Sequence, residues 1–258
     1  MMEYLNMNYS TIEETKIGKT PVYIITPKGE NIDKTIVFYH GWSSNKGNQV
    51  FRANIFASYG YRVILPEAQY HGERSIKNFD YSDEEIVRKY MLETIMHNIE
   101  EAPAIFKYIK EDCGGKIAVG GHSMGAITAG GLYNFKKDLK MAFIFNGVND
   151  WAKLVQDINK DKDIQKVSYT ELRVNDFFLD MNPMNQLENF KDRPIVLYNG
   201  EEDDIIAPKG QKNFAEELEK VYTKKELLDF QIFESTAHQL TSQMLETAII
   251  FSKEKAGF

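Results

Sequence analysis

The sequence predicts an α/β fold, a mostly parallel sheet covered by helices on both faces. Short runs rich in Val, Ile, Phe and Tyr recur at 22–26, 36–40, 61–65, 116–120, 142–146, 195–199 and 230–233. Most lack the polar alternation of a half-solvated strand, as strands buried on both faces do. Longer helical patterns separate them, and this alternation indicates parallel crossovers. The chain has 258 residues, which suits one α/β domain, so a single domain over 1–258 is expected.

Helices are expected at about 47–58, 83–110, 124–135, 209–221 and 241–255. Ser82 and Glu85 are spaced as a capping box at the start of the longest. Val87, Met91, Ile95, Ile99, Ala102, Phe106 and Ile109 then follow at spacings of three and four, giving one apolar face. Pro103 predicts a kink or break, and Gly114-Gly115 the stop. Residues 149–190 do not fit the alternation and are too long for an ordinary loop. Their Trp151, Leu154, Val155, Phe177, Phe178 and Leu179, mixed with many charges, predict a small helical lid insertion.

Composition excludes several classes. There are 31 Lys and Arg against 38 Asp and Glu, a net charge of −7, and the cations are dispersed, which argues against nucleic acid. The lone Cys113 cannot form an internal disulfide. No run of about 18 apolar residues could span a membrane. Residues 1–6 lack the basic and apolar regions of a signal peptide, so a cytoplasmic location is expected.

The most informative stretch is Gly121-His122-Ser123-Met124-Gly125, a G-x-S-x-G between the 116–120 run and a helix of small residues. A serine on a sharp strand-to-helix turn presents its hydroxyl clear of the backbone, and the flanking glycines avoid collisions. Ser123 is the expected nucleophile. The Met124 amide, at a helix N-terminus, can stabilise an oxyanion. The base must follow the serine in this chain order. His40, His71, His97 and His122 precede or adjoin Ser123, and only His238 follows.

The orienting acid should follow the 195–199 run, where Glu201, Glu202, Asp203 and Asp204 crowd together. Spacing from Gly200 selects Asp203, whereas counting back from Pro208 favours Asp204. Asp203 is preferred because the strand end fixes geometry more tightly. His40-Gly41-Trp42 ends another run, and the Trp42 amide is the expected second oxyanion donor. His40 is expected to hold that loop and Trp42 to wall the pocket.

Taken together, His40-Gly41-Trp42, Gly121-His122-Ser123-Met124-Gly125, Gly200-Glu201-Glu202-Asp203 and Ala237-His238 resemble the motif set of the α/β-hydrolase fold. Pro66-Glu67-Ala68-Gln69-Tyr70-His71-Gly72-Glu73-Arg74, with the 41–44 loop, resembles a bacterial esterase branch related to dienelactone hydrolases and prolyl-oligopeptidase catalytic domains. The resemblance spans roughly 20–255, and departs at Asn199, where relatives often carry His, and at Pro208. It implies hydrolysis of a small-molecule ester through an acyl-enzyme, without cofactor or metal. A peptidase or thioesterase with the same triad, and a non-catalytic ligand-binding module on the same scaffold, are the rival readings.

Other features have two readings or none. His71, Glu73 and Arg74 either touch substrate or lock their own loop. Trp151, Phe177, Phe178, Met181 and Met184 either line an apolar acyl pocket or anchor the insertion. Gly18-Lys19-Thr20 is no phosphate loop, since position 13 is Glu. Asp157, Asn159, Asp161 and Asp163 copy calcium-loop spacing without its glycine or final glutamate.

Overall fold

The computed structural model describes residues 7–29, 32–160 and 167–258. The N-terminal hexapeptide, and positions 161–166 with Asp161 and Asp163 of the calcium-like spacing, lie outside them. The described residues form one eight-stranded sheet. In chain order the strands are β1 (Ser10–Ile17), β2 (Thr20–Pro27), β3 (Lys34–Tyr39), β4 (Arg62–Pro66), β5 (Lys116–His122), β6 (Met141–Phe145), β7 (Ile195–Gly200) and β8 (Leu228–Phe233). They lie side by side in the order β1-β2-β4-β3-β5-β6-β7-β8. β2 is antiparallel to both β1 and β4, and the rest pair in parallel.

Strand periodicity sorts the core into two layers. On β3, Val37 and Tyr39 face the layer of α2 (Glu84–Tyr108), α3 (Met124–Phe135) and α6 (Pro208–Val221). Ile36 and Phe38 face α1 (Val50–Ser58) and α7 (Ser242–Glu254). This is the expected α/β-hydrolase architecture, with helices on both faces. Among the described residues between β6 and β7 lie α4 (Trp151–Ile158), α5 (Tyr169–Asp180) and two short 3-10 turns.

Two local expectations are corrected and one strand is added. α2 is capped by Asp83, whose carboxylate accepts the Glu85 and Ile86 amides, because the Ser82 hydroxyl is bonded to Asp80. Helix α2 also runs through Pro103 without a break. Proline forfeits one backbone bond, but Ala102, Ile105 and Phe106 are buried beside it and their packing holds the helix. The helix ends in a π turn, and Gly114 and Gly115 take the left-handed conformation that stops it. Strand β1 escaped the apolar-run criterion because Glu13, Glu14 and Lys16 sit on an edge strand with one solvated side. Gly18 and Lys19 form the turn of the β1–β2 hairpin.

Candidate active site

The C-terminal ends of the parallel strands converge in one crevice, where ligands bind in open α/β sheets. Strand β5 delivers Ser123, which caps α3 with φ 58° and ψ −124°. This left-handed backbone is costly for a non-glycine residue. Close packing enforces it: a methyl on Gly125 would lie 2.1 Å from the Tyr39 carbonyl oxygen, and one on Gly121 2.3 Å from the Gly125 carbonyl carbon. Ser123 is nearly buried, and its amide bonds Phe145.

His238, on the loop after β8, places Nε2 2.8 Å from Ser123 Oγ. Its Nδ1 lies 2.7 Å from Asp203 Oδ2. The structure thus brings Ser123, His238 and Asp203 into one hydrogen-bonded chain. Asp204 is exposed, while Asp203 is buried. Asp203 also accepts from Asn146 Nδ2 at 2.8 Å and from the Ile205 and Ile206 amides. Burial alone would raise its pKa, but the bonds from His238, Asn146 and Ile206 outweigh it and hold the carboxyl below its usual range. His122 packs against His238 with ring centroids 4.9 Å apart. Burial, then the charge of His238, push His122 down to about 3, so a neutral ring faces the imidazole.

Met124 is fully buried at the first position of α3, where an amide has no partner within the helix. On the opposite side, Gly41 packs on the serine: a methyl there would meet Ser123 Cβ at 3.2 Å. Trp42, the next residue, lines the same cavity as Ser123. Among the described residues the Trp42 amide bonds no carbonyl or side chain, whereas its indole N–H donates to the Tyr81 carbonyl at 2.9 Å. A hydroxyl on an imidazole backed by a buried carboxylate can attack a carbonyl.

Beside Ser123 opens a cavity of about 800 Å³. Its apolar lining comes from Trp42, Val87 and Met91 of α2, Leu154 and Ile158 of α4, and Ile206. Of the two readings of Trp151, Phe177, Phe178, Met181 and Met184, the lining does not carry the pocket one, since it contains none of them. Trp151 and Phe178 are buried against each other and Phe177, so they anchor α4 to α5. His71, Glu73 and Arg74 lock their loop: Arg74 pairs bidentately with Glu101, Glu73 bonds Lys46, and His71 bonds the Gln69 carbonyl.

Asn146 was missed by sequence reasoning. It follows β6 with φ 50°, a conformation asparagine tolerates, and that preference is the one signal that could have found it.

The prolyl oligopeptidase family model matches residues 49–254. The chain is 25% identical over 255 residues to Esterase YjfP of Escherichia coli, covering 94% of this chain and 98% of that protein. It is 25% identical over 249 residues to the putative esterase YitV of Bacillus subtilis, covering 89% and 92%. Among solved structures, TT1662 from Thermus thermophilus matches with TM-score 0.77 at 18% identity, over 96% of this chain and 99% of that one.

Proposed function

The chain belongs to the prolyl oligopeptidase family and is a hydrolase of the α/β-hydrolase superfamily, and from this premise we propose that it is a cytoplasmic carboxylesterase acting on small-molecule esters. The single observation that carries the reading is the Ser123–His238–Asp203 chain, with links of 2.8 and 2.7 Å. His238 takes the serine proton as Ser123 attacks the ester carbonyl. The Met124 and Trp42 amides hold the oxyanion, and Asp203 fixes the imidazole tautomer. His238 then protonates the leaving alcohol and activates the water that releases the acyl group. No cofactor enters these steps.

The names of the curated relatives support an ester over a peptide substrate. The apolar cavity wall suits an aliphatic or aromatic group beside the scissile bond, and the segment at about 149–190 serves as a lid through α4. The family's name favours a second reading, amide hydrolysis with the same residues.

A panel of p-nitrophenyl esters and p-nitroanilides tests both. Ester turnover lost in Ser123→Ala, with an unchanged circular dichroism spectrum, is expected. Undiminished turnover in that variant sinks the nucleophile assignment. Faster cleavage of anilides than of esters selects the peptidase reading.

A further inference from the structure

Strand β6 lies between β5, which delivers the serine, and β7, which leads to the acid. Asn146 is the first residue beyond β6 and is fully buried. The peptide in front of it bonds both neighbouring strands' chains. Its carbonyl, that of Phe145, accepts the Ser123 amide at 3.0 Å, and its N–H, that of Asn146, donates to the Tyr198 carbonyl at 2.8 Å. The backbone then turns at φ 50°, a conformation that asparagine tolerates better than most residues with a side chain.

The side chain holds the other two members of the triad. Asn146 Nδ2 donates to Asp203 Oδ2 at 2.8 Å. An ionised carboxylate can only accept, so the nitrogen of the amide, not its oxygen, faces it. The same Oδ2 receives the proton of His238 Nδ1 at 2.7 Å, while Oδ1 accepts the Ile205 and Ile206 amides at 3.1 and 2.8 Å. Oδ1 is thus fixed by its own loop, and the direction of Oδ2 about that anchor is set by Asn146 and His238. Nδ2 also lies 3.5 Å from the Ala237 carbonyl, which accepts the Gln239 amide at 2.7 Å. His238 is the middle residue of that turn. Asn146 therefore grips both the acid and the turn that carries the base, from a strand that leads to neither.

We propose that Asn146 is a positioning residue for the triad, its side-chain amide aiming Asp203 Oδ2 at His238 and tying the acid to the turn that carries the base. This rests on the reading of Ser123, His238 and Asp203 as a working triad. The aim matters because the acid of a triad acts by fixing the tautomer and orientation of the imidazole. Asn146 is not part of the cavity lining, so its loss falls on kcat rather than KM.

Two substitutions separate the amide from the backbone that carries it. Asn146→Gly removes the side chain and adopts φ 50° freely, whereas Asn146→Ala removes the same amide and adds left-handed strain. Both are measured on the full chain with p-nitrophenyl acetate, kcat and KM being normalised to titrated active sites. Each is expected to lower kcat about tenfold, as for one lost bond to a charged group, with KM within about twofold. The Tm of the Ala variant should nonetheless lie about 2 °C or more below that of the Gly variant. In an Asp203→Ala background, where no carboxylate remains to be aimed, Asn146→Gly should cost less than about twofold. The rate of fluorophosphonate labelling at Ser123 gives the same cycle where turnover is too slow to follow.

A kcat that follows Tm, falling further in the Ala variant than in the Gly variant, overturns the proposal. So does an unchanged kcat, or a loss confined to KM. Equal losses with and without the Asp203 carboxylate overturn it too, because Asn146 then does not act through the acid. If neither variant is recovered folded, Asn146 is a requirement of the fold and the proposal fails. Each of these outcomes leaves the triad standing in the wild type. A wild type inert to both ester and fluorophosphonate instead overturns the triad reading, and with it this role for Asn146.

Discussion

Asp203 and Asp204 are neighbours in sequence, yet only Asp203 is turned inward onto His238, Asn146 and two backbone amides. On the triad reading, Asp203→Asn should lower kcat about 10,000-fold by presenting the wrong imidazole tautomer. Asp204→Asn should stay within about twofold of wild type, and steady-state ester kinetics of the pair check this. The same hydrogen bonds give a pH signature. Asp203 has its folded-state pKa lowered, so the ionised carboxylate contributes stability that is full above the unfolded value of about 4. That contribution is lost as pH falls through the lower folded value. The Tm gap between wild type and Asp203→Asn should therefore shrink on acidification below about pH 4, as calorimetry will show. Spacing from Gly200 selects Asp203, the acid that bonds His238 in the structure. The one sequence signal for Asn146 is weak, because an asparagine after a strand reads simply as the strand's end.

Helices and turns make the site rigid. Gly125→Ala would drive a methyl against the backbone of Tyr39 and His40, which cannot yield as a flexible side chain can. It should cost about 3 kcal/mol or more by urea unfolding. The cavity makes a different claim. Leu154 of α4 and Met91 of α2 face the space beside Ser123. Leu154→Trp should fill it and shift preference toward shorter acyl chains, read as kcat/KM across acetate, butyrate and octanoate esters. An unchanged profile removes α4 from the substrate path. The elements themselves were largely legible, since the centres of β3 to β7 are apolar and α2 keeps its stripe across Pro103. The cavity wall was not. Trp151, Phe177 and Phe178 are the larger side chains, and they went to the α4–α5 contact, leaving Leu154 and Ile158 to face the opening. Periodicity says that a face is apolar but not which partner it meets.

At the scale of the whole molecule, the ends of β3, β5, β6, β7 and β8 contribute to one crevice. They bring together residues as distant as His40 and His238, separated by most of the chain. The order serine, acid, histidine was readable because a parallel sheet presents its strand ends on one edge. A buried cluster of Glu67, His40 and Lys46 was not readable as a unit, because its members meet across turns whose geometry appears only in three dimensions. Among the described residues no helix is long and apolar enough to cross a membrane.

The central claim is that Ser123 is a nucleophile activated by His238. It is tested most directly by the reaction of the full chain with a fluorophosphonate, followed by intact mass and peptide mapping. One phosphonyl group per chain, located on Ser123 and formed at least about 100-fold more slowly in His238→Ala, is the predicted result. Unmodified Ser123 in a protein that still hydrolyses esters, or labelling that is indifferent to His238, would contradict it.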